Sequence, residues 1–177
     1  MSFYKQPHRP FKKRDIEQYA ASYDYPEPPK FKTKGFLTYD DLELIGMWKT
    51  RRQSRNYQKN DDDFVRDITR ASFNKRSGEK FRIEVLTLLQ GVHYPVASAL
   101  LHVGYDDTYP IIDFRTLWSL WAIEPAHIKY TFELWSFYIS ACRKIAKDAN
   151  VSVRTVDKAL WQYSRQHQIQ FLPENSF

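Results

Sequence analysis

Leu88-Leu89-Gln90-Gly91-Val92-His93-Tyr94-Pro95-Val96-Ala97-Ser98-Ala99-Leu100-Leu101 is the stretch on which the reading of this chain turns. Apolar residues recur at helical spacing on both sides of it, and one glycine stands between them. Gly91 supplies the left-handed backbone that lets the first helix stop. Val92 plugs the turn, and Pro95 suits the first turn of the second helix. Small residues at Ala97 and Ala99 let the two helices cross closely. The pair is expected over residues 79–104. The first amides of the second helix have no partner inside it and carry positive partial charge, so they attract a phosphate without any basic side chain. An ordinary antiparallel helix pair with a tight turn is the competing reading.

Just downstream, Tyr109-Pro110-Ile111-Ile112-Asp113-Phe114-Arg115 brings an aspartate out of an apolar, proline-containing loop. Asp113 stands where a helix over 114–121 needs an N-cap. Two isoleucines before it anchor the loop. Leu117, Trp118 and Trp121 share one face of that helix.

The rest of the chain reads as helical. Thr38 or Asp40 caps a helix carrying Leu42, Ile45 and Trp48. A basic connection follows through Arg51, Arg52 and Arg55. Asn60 is expected to cap a helix over 61–73, with Asp61, Asp62 and Asp63 favoured in its first turn and Phe64, Ile68 and Ala71 as its stripe. Ser77 is expected to cap the next helix, to Leu89, with Phe81, Val85, Leu88 and Leu89 inward. Pro125 opens a further helical region, 129–149 is a long amphipathic run, and Ser152 caps a last helix to about His167. No strand or repeat is predicted. The fold class is all-α, with residues 1–36 as an irregular, basic, proline- and aromatic-rich arm and 37–177 as one helical domain. A short helix is expected over 14–23 in the arm, whose aromatics suit packing on the body.

The 177 residues, 42% hydrophobic and 16% aromatic, suffice for a core without disulfides or metals. One cysteine, Cys142, excludes an internal disulfide and a cysteine-based zinc or iron–sulfur cage. The opening residues lack a signal-peptide core, and no window resembles a membrane span. These features lead us to expect an intracellular, cytoplasmic and nucleoid-associated protein with no cofactor, metal or membrane partner; oligomeric state stays open. Net charge is +6, with eight Lys/Arg against four Asp/Glu in residues 1–36 and nineteen against seventeen beyond them. That bias suits a polyanion or a solubilising surface equally well.

The hairpin together with Ile111-Ile112-Asp113 resembles the helix-hairpin-helix DNA glycosylase superfamily. Leu89-Gln90-Gly91-Val92-His93 answers that family's Leu-Pro-Gly-Val-Gly hairpin, Ala97 its alanine, and Tyr109-Pro110-Ile111-Ile112-Asp113 its Pro-Val-Asp loop. The match covers residues 80–122, about a quarter of the chain. It implies double-stranded DNA as partner, with a damaged or modified base flipped out, and base excision in DNA repair as the activity. It assigns phosphate contacts to Gly91, Val92, His93 and Tyr94, and catalysis to Asp113. Lys49, Arg51 and Arg52, at the end of a helix where the family often probes the duplex, would neutralise phosphates, or simply form a solvated helix end. Trp48, Arg115 and Trp118 are weaker base-pocket positions; the tryptophan at 118 equally suits a core.

Three departures narrow the resemblance. Pro95 stands at the Schiff-base lysine position and cannot form an imine, so lyase chemistry through it is excluded. No four-cysteine cluster is available. His93 replaces the second hairpin glycine. What remains is a monofunctional DNA N-glycosylase, hydrolysing the glycosidic bond with Asp113 stabilising positive charge on the sugar, or a catalytically inactive DNA- or lesion-binding relative. Residues 145–160 also resemble a helix-turn-helix, whose reading helix would present Ser152, Arg154, Thr155 and Lys158 to a major groove. A helical protein-interaction domain without a DNA role is the remaining alternative.

Overall fold

A computed structural model describes residues 11–30, 35–105 and 108–168. All regular structure among them is helical: α1 (Lys13–Ala21), α2 (Tyr39–Lys49), α3 (Ser54–Tyr57), α4 (Asp62–Ser72), α5 (Glu79–Leu86), α6 (Tyr94–Gly104), α7 (Phe114–Trp121), α8 (Phe132–Ala149) and α9 (Val153–His167), with 3₁₀ turns at Arg51–Gln53 and Pro125–His127. No helix among these residues is long and apolar enough to cross a membrane. The described residues fall into two compact units. One comprises 26–30, 35–105, 108–112 and 130–135; the other comprises 11–25, 113–129 and 136–168.

In the first unit α6 is the central element. Residues 96–103 are all buried, as expected of a helix that is apolar nearly all round. Helices α2 and α5 pack on α6, and α4 packs on α5, closing a core of Leu42, Ile45, Ile68, Ile83, Leu86 and Leu100. The loop after α6 is tied back to it. His102 Nδ1 pairs with the Tyr109 carbonyl at 2.7 Å, and the Ile112 amide donates to Ser98 Oγ at 3.1 Å. Ile111 and Ile112 are buried, as their place before the aspartate predicts.

In the second unit α9 is central, with α1 and α7 packed on it. Ile16 of α1 is buried, and Phe11 and Tyr19 meet the Tyr163 ring edge-on at 5.4 and 5.2 Å. Tyr138, Cys142, Val156 and Leu160 complete the core. Burial pushes the thiol of Cys142 well above its ordinary value, so it is an inert core group.

Caps account for several helix starts. Thr38 Oγ1 accepts the Asp41 amide, and Ser152 Oγ accepts the Thr155 amide. Two expected caps differ. Asp61, not Asn60, caps α4, accepting from the Asp63 and Phe64 amides. Gly78, not Ser77, stands at the N-cap of α5. The expected stripe on α4 shifts with it. Neighbouring positions differ by about 100° around a helix, and the buried residues are Val65, Ile68, Thr69 and Ser72, leaving Phe64 exposed. Helix α5 stops at Leu86, and i→i+3 bonds carry the chain from Val85 and Leu86 to Leu88 and Leu89. That tighter winding turns Leu89 inward and leaves Leu88 exposed; Phe81, in the first turn of α5, is exposed as well, against the expectation for both.

Candidate nucleic-acid interface

Gly91 adopts φ +81°, the left-handed conformation its place at the hairpin predicts. A second constraint is invisible in the local sequence. A Cβ at Gly91 would lie 3.0 Å from both Asn56 Cβ and the Tyr57 ring. Tyr57 is fully buried; its hydroxyl donates toward the carbonyls of Gly46 and Thr50, each at 3.3 Å. Burial raises that hydroxyl to a pKa of about 12. Gly46 makes room for the same ring, since a Cβ there would come within 2.7 Å of it.

Asn60 completes the attachment. Its Oδ1 accepts the Gln90 amide at 2.7 Å, and its Nδ2 donates to the Gln90 carbonyl at 3.0 Å and the Tyr57 carbonyl at 2.8 Å. One side-chain amide thus binds both backbone groups of the residue before Gly91. The segment 50–60 and the hairpin are keyed together, which places the basic connection beside the turn.

That connection carries Arg51, Arg52 and Arg55, all exposed. None of the three is held in an ion pair. Elsewhere in this unit Arg66 pairs with Asp62 at 2.6 Å and Arg70 with Asp67 at 2.7 Å. Arg55 was not singled out from the sequence as a contact residue; only its proximity to Gly91 through Asn56 reveals it. Lys49 ends α2, half-buried.

The second hairpin helix starts without a side-chain cap. His93 occupies the N-cap of α6 at φ −112°, ψ 176°, and its side chain takes no amide of the first turn. It is exposed. This backbone is ordinary extended geometry, so the histidine that replaces the second hairpin glycine introduces no strain. Val92 is 1% exposed. Its side chain is therefore a plug, and any contact from it comes through the backbone. Tyr94 faces α5: its hydroxyl donates to Glu84 Oε1 at 3.4 Å, and burial, with Glu84 adding, pushes it up to about 12. Trp48 is half-buried and donates from Nε1 to the Pro26 carbonyl at 2.9 Å, which is an anchoring role for a residue expected to line a base pocket.

The remaining sequence candidates belong to the other unit. Asp113 caps α7. Its Oδ1 accepts the Thr116 amide at 3.0 Å, and its own amide donates to Thr116 Oγ1 at 3.1 Å. Below this box the buried Tyr138 hydroxyl donates to Asp157 Oδ1 at 3.0 Å. Trp118 stacks on Tyr163 at 5.9 Å. Arg115 is 7% exposed, packed on Phe114 and Trp161. Both side chains pack against aromatic rings of their own unit. Within the first unit the hairpin residues and Lys49, Arg51 and Arg52 come together; Asp113, Arg115 and Trp118 belong to the other unit, on and just before α7.

The helix-turn-helix surface is not presented as expected. Arg154 is buried against Asp157 and lies over the Tyr23 ring at 5.4 Å; Lys158 reaches the same ring at 5.5 Å. Ser152 is occupied as a cap. Among the described residues no group of three or more His, Cys, Asp or Glu side chains is arranged to hold a metal. No protein-family model matches this chain, and neither a curated protein nor a solved structure matches it.

Proposed function

We propose that this chain binds the sugar–phosphate backbone of duplex DNA through the hairpin around Gly91 and the basic connection beside it. The observation that carries the reading is the pairing of an uncapped helix start, at His93, with three exposed arginines that no carboxylate neutralises. The Tyr94 and Val96 amides at the start of α6, separated by Pro95, which has no N–H, offer directed hydrogen bonds to one phosphate. Arg51, Arg52 and Arg55 neutralise its neighbours, releasing counterions and lending affinity without sequence readout.

The activity that accompanies this proposal is monofunctional base excision. Asp113 would stabilise the sugar cation while water adds at C1′ and the base leaves with a proton. A catalytically silent DNA- or lesion-binding protein is the second reading. It is favoured by the Asp113 carboxylate being engaged in capping α7.

Fluorescence anisotropy on a short duplex across a salt series tests the binding. The plot of log affinity against log salt should be steep, and Arg51→Ala with Arg52→Ala and Arg55→Ala together should lower its slope by about 3. Negligible binding at about 50 mM salt, or a triple variant that binds like the parent, sinks the proposal. Mass spectrometry of bases released from modified duplexes decides between the two activities. Base release that Asp113→Asn abolishes, with DNA affinity kept, supports excision; no release from any substrate supports the silent reading.

A further inference from the structure

In the unit built on α9, Arg115 is a buried charge without an acceptor. Only 7% of the residue is exposed. Its Nη1 has no hydrogen-bond partner, and no carboxylate forms an ion pair with it. The guanidinium packs instead on the rings of Phe114 and Trp161, at 5.1 and 5.2 Å. Burial holds it below the ordinary arginine value, against the nearby charge of Asp113. Arginine stays protonated in proteins, so donors are held here out of water with nothing to receive them. Such an arrangement is costly unless an anion completes it.

A second guanidinium converges on the same indole. Arg165 lies over the Trp161 ring at 5.5 Å and pairs with Asp24 at 3.0 Å. Its side chain is 39% exposed, so the cluster reaches the surface of its unit. Tyr23 and Tyr25 pack against Trp161 at 5.4 and 5.2 Å. With rings and guanidiniums around it, the indole acts as a scaffold for the two arginines.

We infer that Arg115 and Arg165, held on Trp161, form a binding site for a phosphoryl oxyanion, with Arg115 Nη1 as its buried donor. A phosphoryl group has three terminal oxygens and so accepts from both guanidinium forks, whereas a carboxylate satisfies one. Free phosphate and the phosphate of a mononucleotide share this chemistry. The site is independent of the DNA interface proposed above.

Thermal unfolding of the full chain at constant ionic strength tests it, in chloride, acetate, inorganic phosphate and deoxyadenosine monophosphate. About 20 mM phosphate or nucleotide should raise the midpoint by about 3 °C over chloride, and acetate by less than about 1 °C. Arg115→Met keeps the volume and removes the donors. It should melt no lower than the parent in chloride and lose the anion-dependent rise. Arg165→Gln should reduce the rise while leaving the chloride midpoint within about 2 °C. A rise with only one of the two phosphoryl compounds, lost in Arg115→Met, supports the site and names its source. Equal rises in acetate and phosphate overturn the inference. So does a rise that persists in Arg115→Met, or none with either phosphoryl compound.

Discussion

Helix α6 begins at His93, whose side chain takes no amide of the first turn, whereas α7 begins at Asp113, whose carboxylate accepts the Thr116 amide at 3.0 Å. Both helices leave their first amides without intrahelical partners. In α7 the aspartate and threonine satisfy two of these groups reciprocally, and the eight-residue helix needs that help. In α6 burial of residues 96–103 supplies the stability instead. A helix anchored by its core can leave its N-terminus open, and an open N-terminus is where an anion is received. A sealed one has committed its carboxylate to holding the fold.

The contrast breaks most visibly at Gly91. Gly91→Ala places a Cβ in left-handed backbone and against Asn56 and Tyr57. Chemical denaturation should show a loss of about 2–3 kcal/mol. A loss under about 1 kcal/mol would mean that the turn is not keyed to Tyr57.

Next in size is an alkaline effect at the same contact. Folding raises the Tyr57 hydroxyl from 10.0 to about 12. The folded state therefore holds a proton that the unfolded state releases between those values. The stability linked to it is complete below pH 10 and is lost as pH rises towards 12, by about 2 kcal/mol. Denaturation measured at intervals from pH 9 to 12 should show this slope added to that of the likewise raised Tyr94 hydroxyl, and Tyr57→Phe should reduce it by the Tyr57 share.

On the sealed side, Asp113→Ala removes the cap and should cost about 1 kcal/mol, while Asp113→Asn should cost a few tenths. Equal costs would separate the cap from the carboxylate oxygen that accepts Thr116. The smallest effect sharpens the contrast. His93→Asp gives α6 the cap it lacks. The melting midpoint should rise by about 2 °C while DNA affinity falls, because the new carboxylate takes the Val96 amide and repels phosphate. A higher midpoint with unchanged DNA binding would remove α6's N-terminus from the interface.

Much of the fold was legible in the sequence where one residue does one local job. Gly91, Pro95, Asp113 and Ser152 each mark a helix boundary by backbone chemistry that neighbours do not override. At Asn60 and Asp61 two residues of equal capping strength stand side by side, and the local sequence does not rank them. Asp61 took the cap, and Asn60 was free to hold Gln90, thirty residues away. The sequence offers Arg154 to a major groove and Arg115 to a base pocket. Only the packing of α1 and α7 on α9 turns them inward, against Tyr23 and Trp161 respectively.

The sequence by itself determined an all-α chain, a hairpin turning on one glycine, and a helix opening at Asp113. Each follows from φ/ψ preference, capping and helical periodicity, which act over a few residues. The tertiary structure decided which cations stay exposed and which surfaces meet: Arg51, Arg52 and Arg55 beside Gly91, and Arg115 buried without an acceptor. Those outcomes depend on contacts between residues far apart in the chain, and no local pattern encodes them.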